Sequence, residues 1–118
     1  METMAKTFGQ TLRELRHSKG ISQRELAERV SVDFSYISKV ENDRLPPPSA
    51  DTIVKICQVL EVQPDELLAL TGKMPSQVKK MLSKSSTALQ FIRQAHEMGL
   101  TDEEWEKLTH QLKRLRGR

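Results

Sequence analysis

Residues 22–42 read "SQRELAERVSVDFSYISKVEN", two apolar-periodic segments with three residues between them. Leu26, Ala27 and Val30 recur at helical spacing in the first segment, and Ile37 and Val40 in the second. Each segment is shorter than the roughly 12 residues below which an isolated helix is marginal in water. Two such helices at a tight corner must be held by neighbours, and a corner so held leaves a face free for a partner.

The flanks supply the neighbours. Gly20 follows "TLRELRHSK", Gly72 follows "DELLALT" and Gly99 follows "LQFIRQAHEM", each suited to a left-handed helix end. Start signals match these stops. Ser22 with Glu25 and Thr101 with Glu104 have capping-box spacing, Ser49 can cap "ADTIVKICQVL", and Pro64 precedes the acidic turn of "DELLAL". Nothing reads as a strand. The chain is therefore expected to be all-α, with helices near 7–18, 22–30, 33–42, 50–60 and 64–71, then 75–83, 86–98 and 101–116. In the first five, Leu12, Leu15, Ile21, Leu26, Ala27, Val30, Ile37, Val40, Ile53, Ile56, Cys57, Leu60, Val62, Leu67 and Leu68 recur at 3, 4 and 7 spacing and predict one small core.

Composition narrows the function classes. A chain of 118 residues, 30% charged and 36% hydrophobic, has room for one domain and an appendage, and holds no apolar run near the roughly 20 residues of a membrane span. The start "METMAKTFGQ" lacks a signal peptide's apolar core, so a cytoplasmic, nucleoid-associated location is expected. The lone Cys57 reads as a small buried hydrophobe in preference to a redox switch. His17, His96 and His110 are scattered without metal-ligand spacing, so they read as solvated and no metal or other cofactor is expected. No nucleophile, base and orienting group converge and no phosphate loop is present, so the chain is not expected to be an enzyme. The net charge of +3 is unevenly spread: residues 1–72 carry 9 Lys+Arg against 11 Asp+Glu, and residues 73–118 carry 10 against 5. Bulk charge does not make a nucleic-acid case, so a local patch has to.

That patch lies on the second short helix. With Ile37 at the centre of its buried face, a helical wheel turns Val40 and Glu41 inward and Ser35, Ser38, Lys39 and Asn42 outward, with Phe34 and Tyr36 on the shoulders. A short polar face of this kind fits a major groove about 12 Å wide, where Ser and Lys bond base edges and an aromatic edge meets a thymine methyl. Gln23 stands in the first turn of the preceding helix, whose free N–H groups favour a phosphate. Arg24, Ser38, Arg44 and the amide of Asn42 lie about the same corner as further backbone contacts, which position without reading sequence. Two rival readings stand beside these: Asp33 as an N-cap for the second helix, and Phe34 with Tyr36 as a protein-binding patch.

The stretch "LRELRHSKGISQRELAERVSVDFSYISKVENDRLPPPSADTIVKICQVLEV", residues 12–62, resembles the helix-turn-helix of the Xre/Cro/CI family of phage and bacterial repressors. Its S-Q-x-x-L-A, V-x-x-x-x-I-S and E-N elements stand at that family's spacing. The resemblance implies a lambda-repressor-like five-helix domain with Gln23 as the phosphate anchor and Asp33, Phe34, Ser35 and Lys39 as base readers. It also implies a backbone contact at Asn42 and a buried ion pair between Arg16 and Glu41. Ser31 and Asp43 stand where the family often has Gly, which puts a side chain at possible positive-φ positions.

The expected organisation is a flexible N-terminus at 1–6, a DNA-binding domain at 7–72 and a helical dimerisation or interaction segment at 73–118. In that last segment Val78, Met81 and Leu82, then Leu89, Ile92, Ala95 and Met98, then Trp105, Leu108, Leu112 and Leu115 make three apolar stripes. Leu89, Ile92, Trp105, Leu108, Leu112 and Leu115 are the expected dimer contacts. The "KRLRGR" end reads as a solvated tail or a supplementary phosphate contact. The expected function is a sequence-specific regulator, a homodimeric repressor of a palindromic site on double-stranded DNA. The alternative is an antitoxin-like or adaptor protein whose C-terminal helices bind a toxin, protease or anti-repressor.

Overall fold

A computed structural model describes residues 5–117. The described residues form eight α-helices and no strand: α1 Phe8–Ser18, α2 Gln23–Val30, α3 Phe34–Glu41, α4 Ala50–Leu60, α5 Asp65–Thr71, α6 Ser76–Ser83, α7 Ser86–Met98 and α8 Asp102–Arg114. Two compact units divide the chain, Met1–Lys79 and Lys80–Arg118, so the division falls inside α6, beyond the glycine stop at Gly72. Residues 1–4 of the expected flexible N-terminus, and Arg118 of the basic end, lie outside the described residues. Lys6, within the same expected flexible stretch, pairs with Glu14 at 2.7 Å.

In the first unit α1 to α5 surround one core. Leu12, Leu26, Ile53, Ile56 and Leu60 are wholly buried, with Ala27, Val30, Ile37, Val40, Cys57 and Leu67 beside them. Fully burying an aliphatic side chain contributes about 1.5–3 kcal/mol, which is how helices of eight residues such as α2 and α3 are held. Phe8 joins this core from the first residue of α1, and Val32, Tyr36 and Val59 pack against it in part. Tyr36 is thus not the exposed shoulder that the wheel suggests: it lies one residue from Ile37, and its ring leans onto the core.

Helix ends follow their side chains. Ser22 accepts the Glu25 amide and Ser49 the Thr52 amide, while Thr101 and Glu104 form a complete capping box. The expected box at Ser22 is only half made, because the Glu25 carboxylate turns to Arg29, one turn on, at 3.5 Å. Thr7 and Gln10 make a second complete box. At the other ends Ser31, Glu61, Gly72 and Gly99 all take the left-handed conformation.

The second unit is different in kind. Among the described residues of α6, α7 and α8, only Ala95 is buried. Ser85 caps α7, and Gly99 ends it ahead of the capped α8. An apolar groove of about 320 Å³ runs between the two, bordered by Phe91, Ala95, Met98, Leu100 and Leu108. No helix among the described residues is long and apolar enough to cross a membrane.

Candidate nucleic-acid interface

The corner between α2 and α3 is locked from beneath by one carboxylate. Glu41, whose side chain is 0% exposed, accepts from Arg16 Nε at 2.7 Å and Nη2 at 2.9 Å. Gln23 Nε2 donates to the same carboxylate at 2.9 Å, and Arg13 stands 3.6 Å from it. Arg16 also donates to the carbonyl of Ile21 at 2.9 Å. Helices α1, α2 and α3 therefore meet at Glu41. Burial pushes its carboxyl up, but hydrogen bonds from Arg16 and Gln23 and the charges of Arg16 and Arg13 outweigh this and hold it below the usual value of 4.5.

A second lock lies at the far end of α3. Asp43, with φ 58°, accepts from the Thr7 hydroxyl at 2.6 Å and the Gly9 amide at 3.1 Å. Gly9 permits the approach: a Cβ there would lie 2.5 Å from the Glu41 carbonyl oxygen and 2.6 Å from that of Val40. The start of α1 thus seats the end of α3 directly, backbone against backbone.

With its inner face fixed this way, α3 presents Phe34, Ser35 and Lys39 to solvent, with Asp33 at its N-cap. Asp33 Oδ1 accepts from both the amide and the hydroxyl of Ser35, at 2.7 and 2.8 Å. The Ser35 hydroxyl bond above all holds the Asp33 carboxyl below its usual value. Its Oδ2 stays open as an acceptor, which suits the amino group of a cytosine, and the Ser35 oxygen can still accept. Phe34 is 39% exposed, and the Arg24 guanidinium lies over its ring, 4.6 Å from the centroid. Lys39 and Arg44 are exposed, and the Lys39 charge adds to the lowering of the Asp33 carboxyl.

The remaining residues of the expected phosphate set are partly turned inward. Gln23 spends one amide N–H on Glu41, and Asn42 spends one on the Ser38 carbonyl at 2.9 Å. Asn42 Oδ1 in turn accepts from Arg13 at 2.6 Å. Each carboxamide keeps one N–H for an outside acceptor. Ser38 is half-buried on the turn that receives Asn42. Arg13, Gly9 and Asp43 escaped the sequence reading as members of this corner; Arg13 is one turn from Arg16 on α1, and that spacing was the available signal.

Of the six apolar residues expected at a dimer contact, Leu108 is half-buried and Leu89, Ile92, Trp105, Leu112 and Leu115 are exposed. Phe91 and Met98 lie exposed on the same unit.

Residues 7–70 match the family model described as a helix-turn-helix domain. The HTH-type transcriptional regulator SinR of Bacillus subtilis (strain 168) is 30% identical over 106 residues, spanning 85% of this chain and 95% of SinR. A crystal structure of SinR, described as the master regulator for biofilm formation, in complex with DNA superposes on 52% of this chain and 98% of its own. The TM-score is 0.50 at 37% identity. A structure of the SinR protein/SinI protein complex covers 95% of this chain and 100% of its own, with TM-score 0.51 at 26% identity. The chain belongs to the Xre-type helix-turn-helix family of DNA-binding transcriptional regulators.

Proposed function

We propose that this regulator is a homodimeric repressor acting on a two-fold symmetric operator in the cytoplasm. Asp33, Phe34, Ser35 and Lys39 read base edges, and Gln23, Arg24, Ser38, Asn42 and Arg44 hold the flanking phosphates. The observation that carries the dimer is the thin burial of the second unit: among its described residues Ala95 alone is buried, while Leu112 and Leu115 are 67% and 76% exposed. So small a helical pair does not bury enough apolar surface to be stable by itself. The first unit covers most of its apolar residues in its own core and leaves Leu45, Leu70, Met74 and Val78 exposed, whereas the second unit exposes most of its stripe, so that stripe is the larger face for a copy to cover. Sites selected by the full chain from random DNA test the reading. Two inverted half-sites about one helical turn apart are expected, and a single asymmetric half-site would overturn the dimer.

One observation favours a second use of the same helices. The likeness to the SinR/SinI complex extends over 95% of this chain, which supports a protein partner that competes for Leu89, Ile92, Trp105, Leu108, Leu112 and Leu115. A toxin, protease or anti-repressor fits that role. Co-purification of a partner that is lost in Leu112→Asp and splits the dimer would identify it.

A further inference from the structure

Outside the recognition corner, two contacts within the first unit tie the segment after α5 to the loop that leaves α3 and to the start of α4. Lys73 Nζ donates to the carbonyl oxygens of Pro47 and Pro48, at 3.1 and 3.0 Å. Asp51, in the first turn of α4, accepts from the Ser76 amide at 3.0 Å and the Ser76 hydroxyl at 2.5 Å. The cap of α6 thus comes from another helix, since Pro75 ahead of it has no side-chain acceptor. The run Pro46, Pro47, Pro48 explains the other half: fixed φ angles stiffen the loop, so its carbonyls are held out for the ammonium. Lys79 and Lys55 add their charges around Asp51.

Without these bonds Gly72–Pro75 would be a hinge, with exposed Gly72 at φ 67° as its pivot. We propose that Lys73, Asp51 and Ser76 form a latch that fixes the path by which the chain leaves the DNA-binding unit, and so sets the half-site spacing the dimer accepts. These are positioning residues and read no base. The inference rests on the dimer reading above. Its physical basis is geometric: one added base pair moves a half-site by about 3.4 Å and turns it by about 35°. A hinged dimer absorbs such a step with little change in effective concentration, whereas a fixed exit does not.

The test uses the full chain, its K73A/D51A and S76A variants, and duplexes carrying the selected site with spacers changed by one and two base pairs, plus a single half-site. Wild type should lose tenfold or more in affinity at the altered spacers. K73A/D51A should vary by less than threefold across all spacers, with half-site binding within threefold of wild type, and S76A should fall between. Thermal melts confirm folding; if the double variant does not fold, K73A alone and S76A decide. Spacing selectivity equal to wild type in folded variants overturns the latch while leaving the dimer intact. A wild type that sediments as a monomer, or binds the palindrome no better than the half-site, overturns the dimer reading and the latch with it.

Discussion

Removing Arg16 should unfold the recognition corner from inside. In Arg16→Ala, Glu41 stays 0% exposed but loses both bonds from the guanidinium, 2.7 and 2.9 Å long, and keeps only Gln23 at 2.9 Å with Arg13 at 3.6 Å. Breaking a buried pair by deleting one partner costs about 3–5 kcal/mol, and Arg13 moving in places this case near 3. For a unit of this size that lowers Tm by about 10–25 °C. The pH dependence should change with it. In wild type the folded carboxyl lies below 4.5, so its contribution is full above that value and is lost only as pH falls through the lower, folded one. In Arg16→Ala burial dominates and the folded carboxyl rises above 4.5. The penalty is then full at neutral pH and is relieved as pH falls through that raised value, so the gap in Tm between the two proteins narrows on acidification. Arg16→Met with Glu41→Leu, which leaves no charge behind, should recover most of the loss. Circular-dichroism melts of the three proteins between pH 4 and 7 make the comparison. A Tm for Arg16→Ala within about 3 °C of wild type at pH 7, or a gap that widens toward acid, would refute the reasoning.

Gly9→Ala should cost about 1–3 kcal/mol by chemical denaturation, because its Cβ would meet two carbonyl oxygens at 2.5 and 2.6 Å. Ser31→Gly and Asp43→Gly should have opposite signs although both replace left-handed residues, at φ 65° and 58°. The first relieves strain and gains up to about 1 kcal/mol; the second also deletes the bonds from Thr7 and Gly9 and loses about 1–2 kcal/mol net. Cys57, its thiol pushed up to about 11 chiefly by burial with Asp65 adding to it, should resist a thiol reagent at pH 8 in the native protein and react at once in denaturant. Lys39→Ala should lose about 1–3 kcal/mol on the selected site and relax base preference there in a binding titration, whereas Arg44→Ala should weaken all sequences alike.

Local chemistry made most of the helices legible: Ser22, Ser49 and Thr101 cap their next helices, and Gly20, Gly72 and Gly99 take positive φ as a helix stop requires. The inward turn of Glu41 followed from the wheel, and its pairing with Arg16 from the family resemblance. What stayed hidden is non-local. Gly9 ends no helix; its purpose is the carbonyl of Glu41, far along the chain. Asp51 looks like an ordinary first-turn acid of α4, and only the fold brings Ser76 to it. Tyr36 sits at a wheel position that α3 alone leaves open, and the neighbouring core covers it. Glu61, left-handed at φ 57°, carried no signal because glutamate is not a usual residue there.

The proposed repressor needs its second unit to join two DNA-binding units. Sedimentation equilibrium of the full chain and of a chain ending at Lys79, each followed by titration with the selected palindrome, tests this most directly. The full chain should sediment as a dimer. The shortened chain should stay helical, sediment as a monomer and bind the palindrome about two orders of magnitude more weakly. A shortened chain that remains dimeric and binds the palindrome undiminished would contradict the account.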